Sequence, residues 1–244
     1  MTVEARPEAG PIGTATPFQL AFYGVARAAF AGWAYTFWRV RVKGRGNIPA
    51  SGAFVLAPVH RSNIDTILMG CVSRRRLRYM GKDSLWKKRW SAWVLTALGG
   101  FPVRRGTADR EALRLGEEAI GSGEALVIFP EGTRRSGPVV KDLFEGAAFI
   151  ALRAGVPIIP VGIGNSEQAM PKGAKGLRPV KIGMVIGAPI MPPAREPGGR
   201  GSRRQVHELT QRLESELQAL MDEAEAAAHR RNRWTGRGRW QGGY

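Results

Sequence analysis

Short apolar runs of the kind found in buried β-strands alternate along this chain with segments that carry apolar residues at helical spacing. Runs typical of strands lie at Ala53–Val59, Leu77–Gly81, Phe101–Arg104, Ala125–Phe129, Pro157–Ile163 and Val180–Ile186. Helical patterns lie at Ile64–Val72, Ser84–Leu98, Ala108–Gly121, Phe144–Ala154 and Arg203–Met221. This alternation predicts an α/β fold, a single domain whose largely parallel central sheet is flanked by helices and has the last strand at its edge. With 244 residues, 43% of them hydrophobic, the chain can build such a core.

One histidine stands at the end of the first predicted strand. His60 follows the run Ala53–Val59 directly, and Asp65 follows after four intervening residues. Imidazole accepts a proton near neutral pH and a carboxylate can fix its tautomer, so the two residues have the composition of a general base and its orienting acid. Side chains five positions apart on a regular helix point about 140° away from each other, so the pair requires a turn, which Ser62 and Asn63 favour. The alternative is that Asp65 only caps the next helix.

The chain lacks the sequence signatures of a protein nucleophile or a catalytic metal. It contains no GxSxG elbow, no HExxH and no Walker lysine motif, and no His or Cys cluster has the spacing of metal ligands. The lone cysteine, Cys71, lies within an apolar helical run, as a small core residue does. If His60 is a base, it therefore activates a hydroxyl that belongs to a substrate.

A second polar segment, PEGTRRSG, follows the predicted strand Ala125–Phe129. It supplies four candidate residues, Glu131, Gly132, Thr133 and Arg134. A glycine lets the backbone approach a ligand closely, and guanidinium groups bind phosphate or carboxylate oxygens in pairs. In GGFPVRRG, Arg104 and Arg105 likewise follow a short extended stretch. Ligands of parallel sheets bind at the carboxyl ends of the strands, so these segments predict an anion site next to His60.

Four sequence blocks, in this order, resemble those of the PlsC-like or AGPAT family of lysophosphatidate and glycerol-3-phosphate acyltransferases. The blocks are HRSNID at 60–65, GGFPVRRG at 99–106, FPEGTRRS at 129–136 and VPIIPV at 156–161. Many members of the family carry an acidic residue before the arginine of the second block and an asparagine before the histidine, where this chain has Arg104 and Val59. Alignment with the second block favours Arg105 over Arg104 as the residue that contacts the substrate.

This resemblance implies an acyl transfer without a cofactor. His60 takes the proton of a glycerol hydroxyl as that hydroxyl attacks an acyl thioester, and Asp65 holds the imidazole. The co-substrate is acyl-CoA or acyl-ACP, and lysophosphatidate is converted to phosphatidate. The acceptor phosphate is held by a site that the second and third blocks form. Its residues are Arg104, Arg105, Glu131, Gly132, Thr133 and Arg134. Within this site, Glu131 orients an arginine rather than touching the phosphate itself. The fourth block implies a pocket for the acyl chain or substrate, formed by Val156, Pro157, Ile158 and Pro160.

The charge of the chain predicts an anionic partner. There are 37 basic and 20 acidic residues, which give a net charge of +17. The segment Phe18–Trp38 is rich in aromatic residues and alanine but is interrupted by Arg27, which favours a helix lying in a membrane interface. A single membrane span and a helix buried against the sheet are the alternatives. Lys82–Leu98 interleaves tryptophans with cations, which is also typical of a membrane surface.

The chain is expected to have three parts. These are an N-terminal tail with the membrane-associating helix at 1–43, the acyltransferase domain at 44–227, and a basic, disordered tail at 228–244. A single cysteine excludes an internal disulfide and, together with a thioester donor, favours the cytoplasmic face of the cell membrane. The attachment is expected to be peripheral or monotopic.

The motifs leave the acceptor open, since the same base and anion site would serve glycerol 3-phosphate or another lipid hydroxyl. Acyl carrier protein is a further possible partner, as the donor. A non-catalytic basic module that binds nucleic acid or membrane is the alternative outside the enzymes, because the arginine-rich tail could stack bases on Trp234 and Trp240. We expect no nucleic-acid partner, because no RNA-binding fold signature accompanies that tail.

Overall fold

The computed structural model describes residues 15–103, 110–171, 173–174, 176–193 and 202–229. Seven strands form one sheet in the order β1-β7-β6-β2-β5-β3-β4. They are β1 Arg41–Lys43, β2 Phe54–Pro58, β3 Leu77–Lys82, β4 Gly100–Val103, β5 Ala125–Val127, β6 Ile158–Gly164 and β7 Gly183–Ile186. The helices are α1 Pro17–Phe37, α2 Asp65–Val72, α3 Arg89–Ala97, α4 Arg110–Gly121, α5 Gly146–Ala154, α6 Ser166–Ala169 and α7 Arg203–His229. Every neighbouring pair is parallel except β6 and β7, so the predicted α/β fold with a largely parallel sheet is confirmed.

Two of the central strands are apolar and covered on both faces. Each residue of β2 and of β6 is buried, as expected of parallel strands that lie between helices. Helices α4, α5 and α7 form one layer, since α5 contacts both of the others, and α7 covers β6 and β7. Helix α1 contacts α2 and α3. Because these strands are buried, the polar residues that follow them lie at the carboxyl edge of the sheet.

Helix α7 approaches the sheet so closely that glycines lie beneath it. A Cβ at Gly162 would lie 2.2 Å from the backbone carbonyl of Leu220, and one at Gly183 would lie 2.1 Å from the carbonyl oxygen of Ala224. The apolar stripe predicted for this helix is buried and continues past the predicted end: Val206, Leu209, Leu213, Leu217, Leu220, Ala224 and Ala228. Its predicted packing on the core is therefore confirmed.

Replacing Gly162 by alanine is expected to lower the free energy of unfolding by about 1–3 kcal/mol, because α7 must move away from β6. Gly24→Ala is the matched control. Gly24 lies within α1 and an added Cβ there would meet no atom within 4 Å, so this change should raise stability by about 0.5–1 kcal/mol. Urea unfolding followed by circular dichroism measures both. A Gly162→Ala protein as stable as the wild type would contradict this close packing.

Two predictions of secondary structure are corrected by the structure. The strand predicted at Val180–Ile186 is shorter and does not lie at the edge, because the unpredicted β1 pairs along its outer side. Residues Arg41–Lys43, which form β1, therefore belong to the sheet. The helix predicted at Ser84–Leu98 is divided into a 3₁₀ helix, Asp83–Trp86, and α3.

The division of that helix follows from the packing of Trp86. Its ring fills the space above Gly81, where an added Cβ would lie 2.7 Å away, and its indole N–H donates to Thr96 Oγ1 at 3.1 Å. These contacts draw the chain toward the sheet before α3 begins at Arg89. A tertiary contact has therefore overridden the helical pattern.

Helix α1 begins with a capping box and leaves several large apolar side chains exposed. Thr16 Oγ1 accepts from the N–H of Gln19 at 3.2 Å, while Gln19 Oε1 accepts from the N–H of Thr16 at 3.0 Å. Tyr23 and Ala34 are buried, whereas the exposed apolar side chains include Phe18, Leu20, Val25, Phe30 and Trp33. No helix among the described residues is long and apolar enough to cross a membrane.

Candidate active site

The loop between β2 and α2 brings His60 and Asp65 together. His60 Nδ1 lies 3.1 Å from Asp65 Oδ2, and the same oxygen accepts from the backbone N–H groups of Arg61 at 2.7 Å and Ser62 at 2.6 Å. Three donors thus converge on one carboxylate oxygen whose side chain is fully buried. Asp65 is the first residue of α2 and bonds the backbone before the helix, so it does not act as the simple N-cap that the sequence left as an alternative.

The geometry fixes which nitrogen of His60 is available. An ionised carboxylate only accepts hydrogen bonds, so Nδ1 of the neutral ring carries the proton and Nε2 keeps its lone pair. The His60 ring stacks on Phe129 with 4.1 Å between ring centroids, and its side chain is 16% exposed. Nε2 has no hydrogen-bond partner among the described residues. The imidazole is therefore held on one side and open for a proton on the other.

Glu131 joins the loop after β5 to the loop that carries His60. Its Oε2 accepts from the backbone N–H of His60 at 2.6 Å, and its Oε1 forms an ion pair with Arg61 Nη1. Both side chains are buried, and Arg61 Nη2 also donates to the carbonyl of Val139 at 3.1 Å. The carboxylate of Glu131 is thus used within the protein, in agreement with the prediction that this residue orients an arginine rather than touching phosphate.

Arg61 is a site residue that the sequence analysis missed. It stands between His60 and the turn residues of the same block, a position that gave it no role by itself. Arg61 could have been found from the prediction that Glu131 orients an arginine, because that prediction requires an arginine close to the third block. The arginine in contact with Glu131 is Arg61, and the pair ties the His60 loop to the PEGTRRSG segment.

The rest of that segment forms a tight turn beside His60. Gly132 has a φ of +65°, and a Cβ there would lie 2.6 Å from the ring of Phe144, so the position requires glycine. The backbone N–H of Arg135 donates to the carbonyl of His60 at 2.9 Å. Thr133 is exposed and Arg134 half-buried, and the guanidinium of Arg134 has no partner among the described residues. The segment whose backbone bonds the His60 loop therefore also carries a guanidinium without a partner among the described residues.

Arg104 and Arg105 lie outside the described residues. Strand β4 ends just before them at Val103, which pairs with Lys82 at the end of β3. The strands β2, β5, β3 and β4 are parallel neighbours, so their carboxyl ends share one edge of the sheet. The predicted placement of the second block relative to His60 stays a prediction.

The fourth block runs alongside β2 toward His60, since its last residue, Val161, pairs with Pro58 and its carbonyl accepts from the N–H of Val59 at 3.0 Å. Ile158 pairs with Val55 near the start of β2, and Val156 and Pro157 come before β6 at the amino edge of the sheet. Ile158 and Pro160 are buried within β6. Ile158 and Pro160 thus belong to the central core, and the pocket for the acyl chain or substrate at the fourth block stays a prediction.

Cys71 belongs to the core, and burial raises the pKa of its thiol although Arg45 and Arg27 act in the opposite direction. A raised pKa leaves less of the reactive thiolate at a given pH. We expect iodoacetamide to modify Cys71 at pH 8 at least about tenfold more slowly in the native protein than in urea. Cys71→Ala should retain activity, and an inactive but folded variant would contradict a purely structural cysteine.

Comparison with known proteins places these features in context. A sequence model described as Acyltransferase matches residues 39–164. The 1-acyl-sn-glycerol-3-phosphate acyltransferase of Bacillus subtilis is 30% identical over 152 residues, 62% of this chain and 73% of that protein. The protein of the same name from Pseudomonas aeruginosa is 28% identical over 188 residues, 76% of this chain and 70% of that protein. The crystal structure of the 1-acyl-sn-glycerophosphate (LPA) acyltransferase PlsC from Thermotoga maritima has a TM-score of 0.68 at 26% identity, covering 85% of this chain and 80% of that one.

Proposed function

We propose that this chain, which belongs to the acyltransferase family, moves a fatty acyl group from a thioester to the free hydroxyl of lysophosphatidate and so forms phosphatidate for phospholipid synthesis. The family membership confirms the resemblance predicted from the four blocks. The observation that carries the proposal is the 3.1 Å contact between His60 Nδ1 and Asp65 Oδ2 at the carboxyl end of β2. Relatives named for this reaction support the choice of acceptor.

The reaction follows from the orientation of the imidazole. Nε2 of His60 takes the proton from the acceptor hydroxyl as its oxygen attacks the thioester carbonyl. The buried carboxylate of Asp65 stabilises the imidazolium that forms. When the carbon–sulfur bond breaks, the thiolate leaves and takes up that proton. The acyl group passes directly to the acceptor, so no acyl-enzyme is formed.

The acceptor phosphate is held by cations at the same edge. Arg134 is the described residue best placed for this role, with Arg104 and Arg105 as the further arginines of the second block. Gly132 allows the tight turn at this position, and the exposed Thr133 would donate its hydroxyl to the phosphate, because the backbone N–H groups of both residues already donate to carbonyls of the same segment. The energetic value of these contacts lies in holding the hydroxyl against Nε2, because positioning alone can supply much of a rate enhancement.

The donor is acyl-CoA or acyl-ACP, and we propose that the reaction uses no cofactor. Among the described residues, no group of three His, Cys, Asp or Glu side chains could hold a metal ion. Activity should therefore survive dialysis against EDTA. Loss of activity that added Mg²⁺ restores would contradict the proposal.

The acceptor is tested by product analysis. Purified protein is incubated with palmitoyl-CoA, or with palmitoyl-ACP, and with lysophosphatidate or glycerol 3-phosphate, and the lipids are identified by mass spectrometry. We expect phosphatidate from lysophosphatidate and little product from glycerol 3-phosphate. A reversed preference would assign the protein to acylation of glycerol 3-phosphate. No acyl ester in any arm, together with tight binding to duplex DNA, would favour the non-catalytic module instead.

We infer that the protein attaches to the cytoplasmic face of the membrane in a peripheral or monotopic manner. The support is the set of exposed apolar side chains on α1, such as Phe18 and Val25, together with Trp90 and Trp93 of α3, which are 68% and 41% exposed. Ring contacts between Trp93 and Phe22, with centroids 5.1 Å apart, join the two helices into one surface. Sedimentation with anionic vesicles at low salt should exceed sedimentation with neutral vesicles, and equal sedimentation would contradict the inference.

A further inference from the structure

A cavity of about 690 Å³ lies at the far end of α2 from Asp65. It is enclosed by α1, by the end of α2 and by the segments that lead into β2 and β3. Those segments enter the sheet at its amino edge, whereas His60 and Glu131 follow strands at the carboxyl edge. The eight residues of α2 separate the two edges by about 12 Å. The cavity is therefore distinct from the candidate active site.

Four arginines line the cavity, and no acidic residue does. Arg27 donates to the carbonyl of Gly70 at 3.1 Å, and Arg45 donates to the hydroxyl of Tyr35. Arg75 donates to three backbone carbonyls, of which the nearest is 2.6 Å away. Arg74 is exposed and has no partner among the described residues. No described carboxylate pairs with any of the four, so their charge is not neutralised within the described protein.

The remaining lining is mostly apolar and leads to the surface of α1. Small and aliphatic side chains complete the wall: Ala28, Ala31, Ile48, Ala50 and Val72. Tyr35 lines the cavity and is 38% exposed, and Val25, which is 71% exposed, lies about two turns before the lining residue Gly32 on the same side of α1. A ligand that matches this lining carries a negative charge next to hydrocarbon.

We propose that this cavity binds the phosphate headgroup of an anionic phospholipid as a second site, separate from the site of acyl transfer. Guanidinium groups bind phosphate oxygens in pairs. A phospholipid carries its phosphate next to hydrocarbon, which matches the arginines and the apolar residues of the lining. One wall of the site is formed by α1, which also exposes Val25 on that side, so a lipid could occupy the site without leaving the membrane surface. The proposal uses neither His60 nor the acceptor site and holds whichever hydroxyl is acylated.

The test measures binding of monomeric dihexanoyl phosphatidylglycerol to the full chain by titration calorimetry. Arg74→Glu is the main variant, because an exposed side chain without a partner can be replaced without loss of fold. Arg212→Glu on α7 is the matched control, since Arg212 is also exposed and the change in net charge is the same. Arg27→Gln is a second variant that removes one charge from inside the cavity. Dihexanoyl phosphatidylcholine and inorganic phosphate are titrated in parallel.

We expect one phosphatidylglycerol per chain, with a Kd at least about tenfold higher in Arg74→Glu and in Arg27→Gln than in the wild type or Arg212→Glu. Phosphatidylcholine and inorganic phosphate should bind more weakly than phosphatidylglycerol by a similar factor. Equal losses in Arg74→Glu and Arg212→Glu would overturn the site, because they would indicate diffuse attraction. Inorganic phosphate that binds as tightly as the lipid would overturn the lipid assignment. Acyl transfer by Arg74→Glu to lysophosphatidate in detergent is measured separately, so failure of catalysis is distinguished from failure of this site.

Discussion

Replacement of His60 by alanine is expected to lower kcat/KM for acyl transfer by about 10²–10⁴-fold, the range that a general base contributes. The loss should appear mainly in kcat, because the interaction of Nε2 with the hydroxyl proton strengthens as the hydroxyl attacks and contributes mostly to the transition state. The fold should persist, since Asp65 Oδ2 keeps its hydrogen bonds from the backbone of Arg61 and Ser62. Steady-state release of free thiol from palmitoyl-CoA measures the rate, and a thermal melt measures stability.

His207→Ala is the matched control for this variant. His207 lies on α7 with 61% of its side chain exposed, and Nδ1 is 3.4 Å from Glu145 Oε1. The change removes an imidazole of the same kind from the surface, so activity should stay at the wild-type level. If His60→Ala retained most of the wild-type kcat, a base at this position would be excluded.

Removal of the Glu131 carboxylate is expected to give the largest loss of stability among single changes at the site. Glu131→Ala leaves the Arg61 guanidinium buried without its counter-charge, which costs about 3–5 kcal/mol. It also removes the acceptor for the His60 backbone N–H, so activity should fall with stability. Urea unfolding measures the free energy, and thiol release under native conditions measures the activity.

Two further variants separate this effect from the loss of any ion pair. Glu223→Ala breaks the surface pair with Lys43, whose side chains are 43% and 74% exposed, and should cost about 1 kcal/mol or less. The double variant Arg61→Met with Glu131→Ala leaves no buried charge unpaired, so it should be more stable than Glu131→Ala alone. If the loss of stability in the double variant equalled the sum of the losses in Arg61→Met and Glu131→Ala, the two residues would not be coupled.

The sequence predicts those parts of the site that depend on local order along the chain. His60 and Asp65 lie in one loop, so the strand before them and the turn residues between them already indicate their contact. The alternation of strands and helices predicts the sheet in the same way, because periodicity records which side chains face the core. The carboxyl-edge position of His60 and Glu131 follows from that topology.

The features that sequence reasoning missed depend on contacts between distant segments. Arg61 and Glu131 are 70 positions apart, and nothing near either residue identifies its partner. Strand β1 has three residues, too few to show a period, and exists because β7 offers it an edge. The fourth block is apolar whether it lines a pocket or fills a core, so its sequence alone does not distinguish the two.

The most direct test of the direct-transfer mechanism is a rapid-quench measurement of thiol release from palmitoyl-CoA during the first turnover, with and without lysophosphatidate. If His60 activates the acceptor hydroxyl and the protein supplies no nucleophile, thiol should appear only when lysophosphatidate is present, in step with phosphatidate. A burst of thiol equal to the enzyme concentration in the absence of acceptor would reveal an acyl-enzyme and would contradict the mechanism.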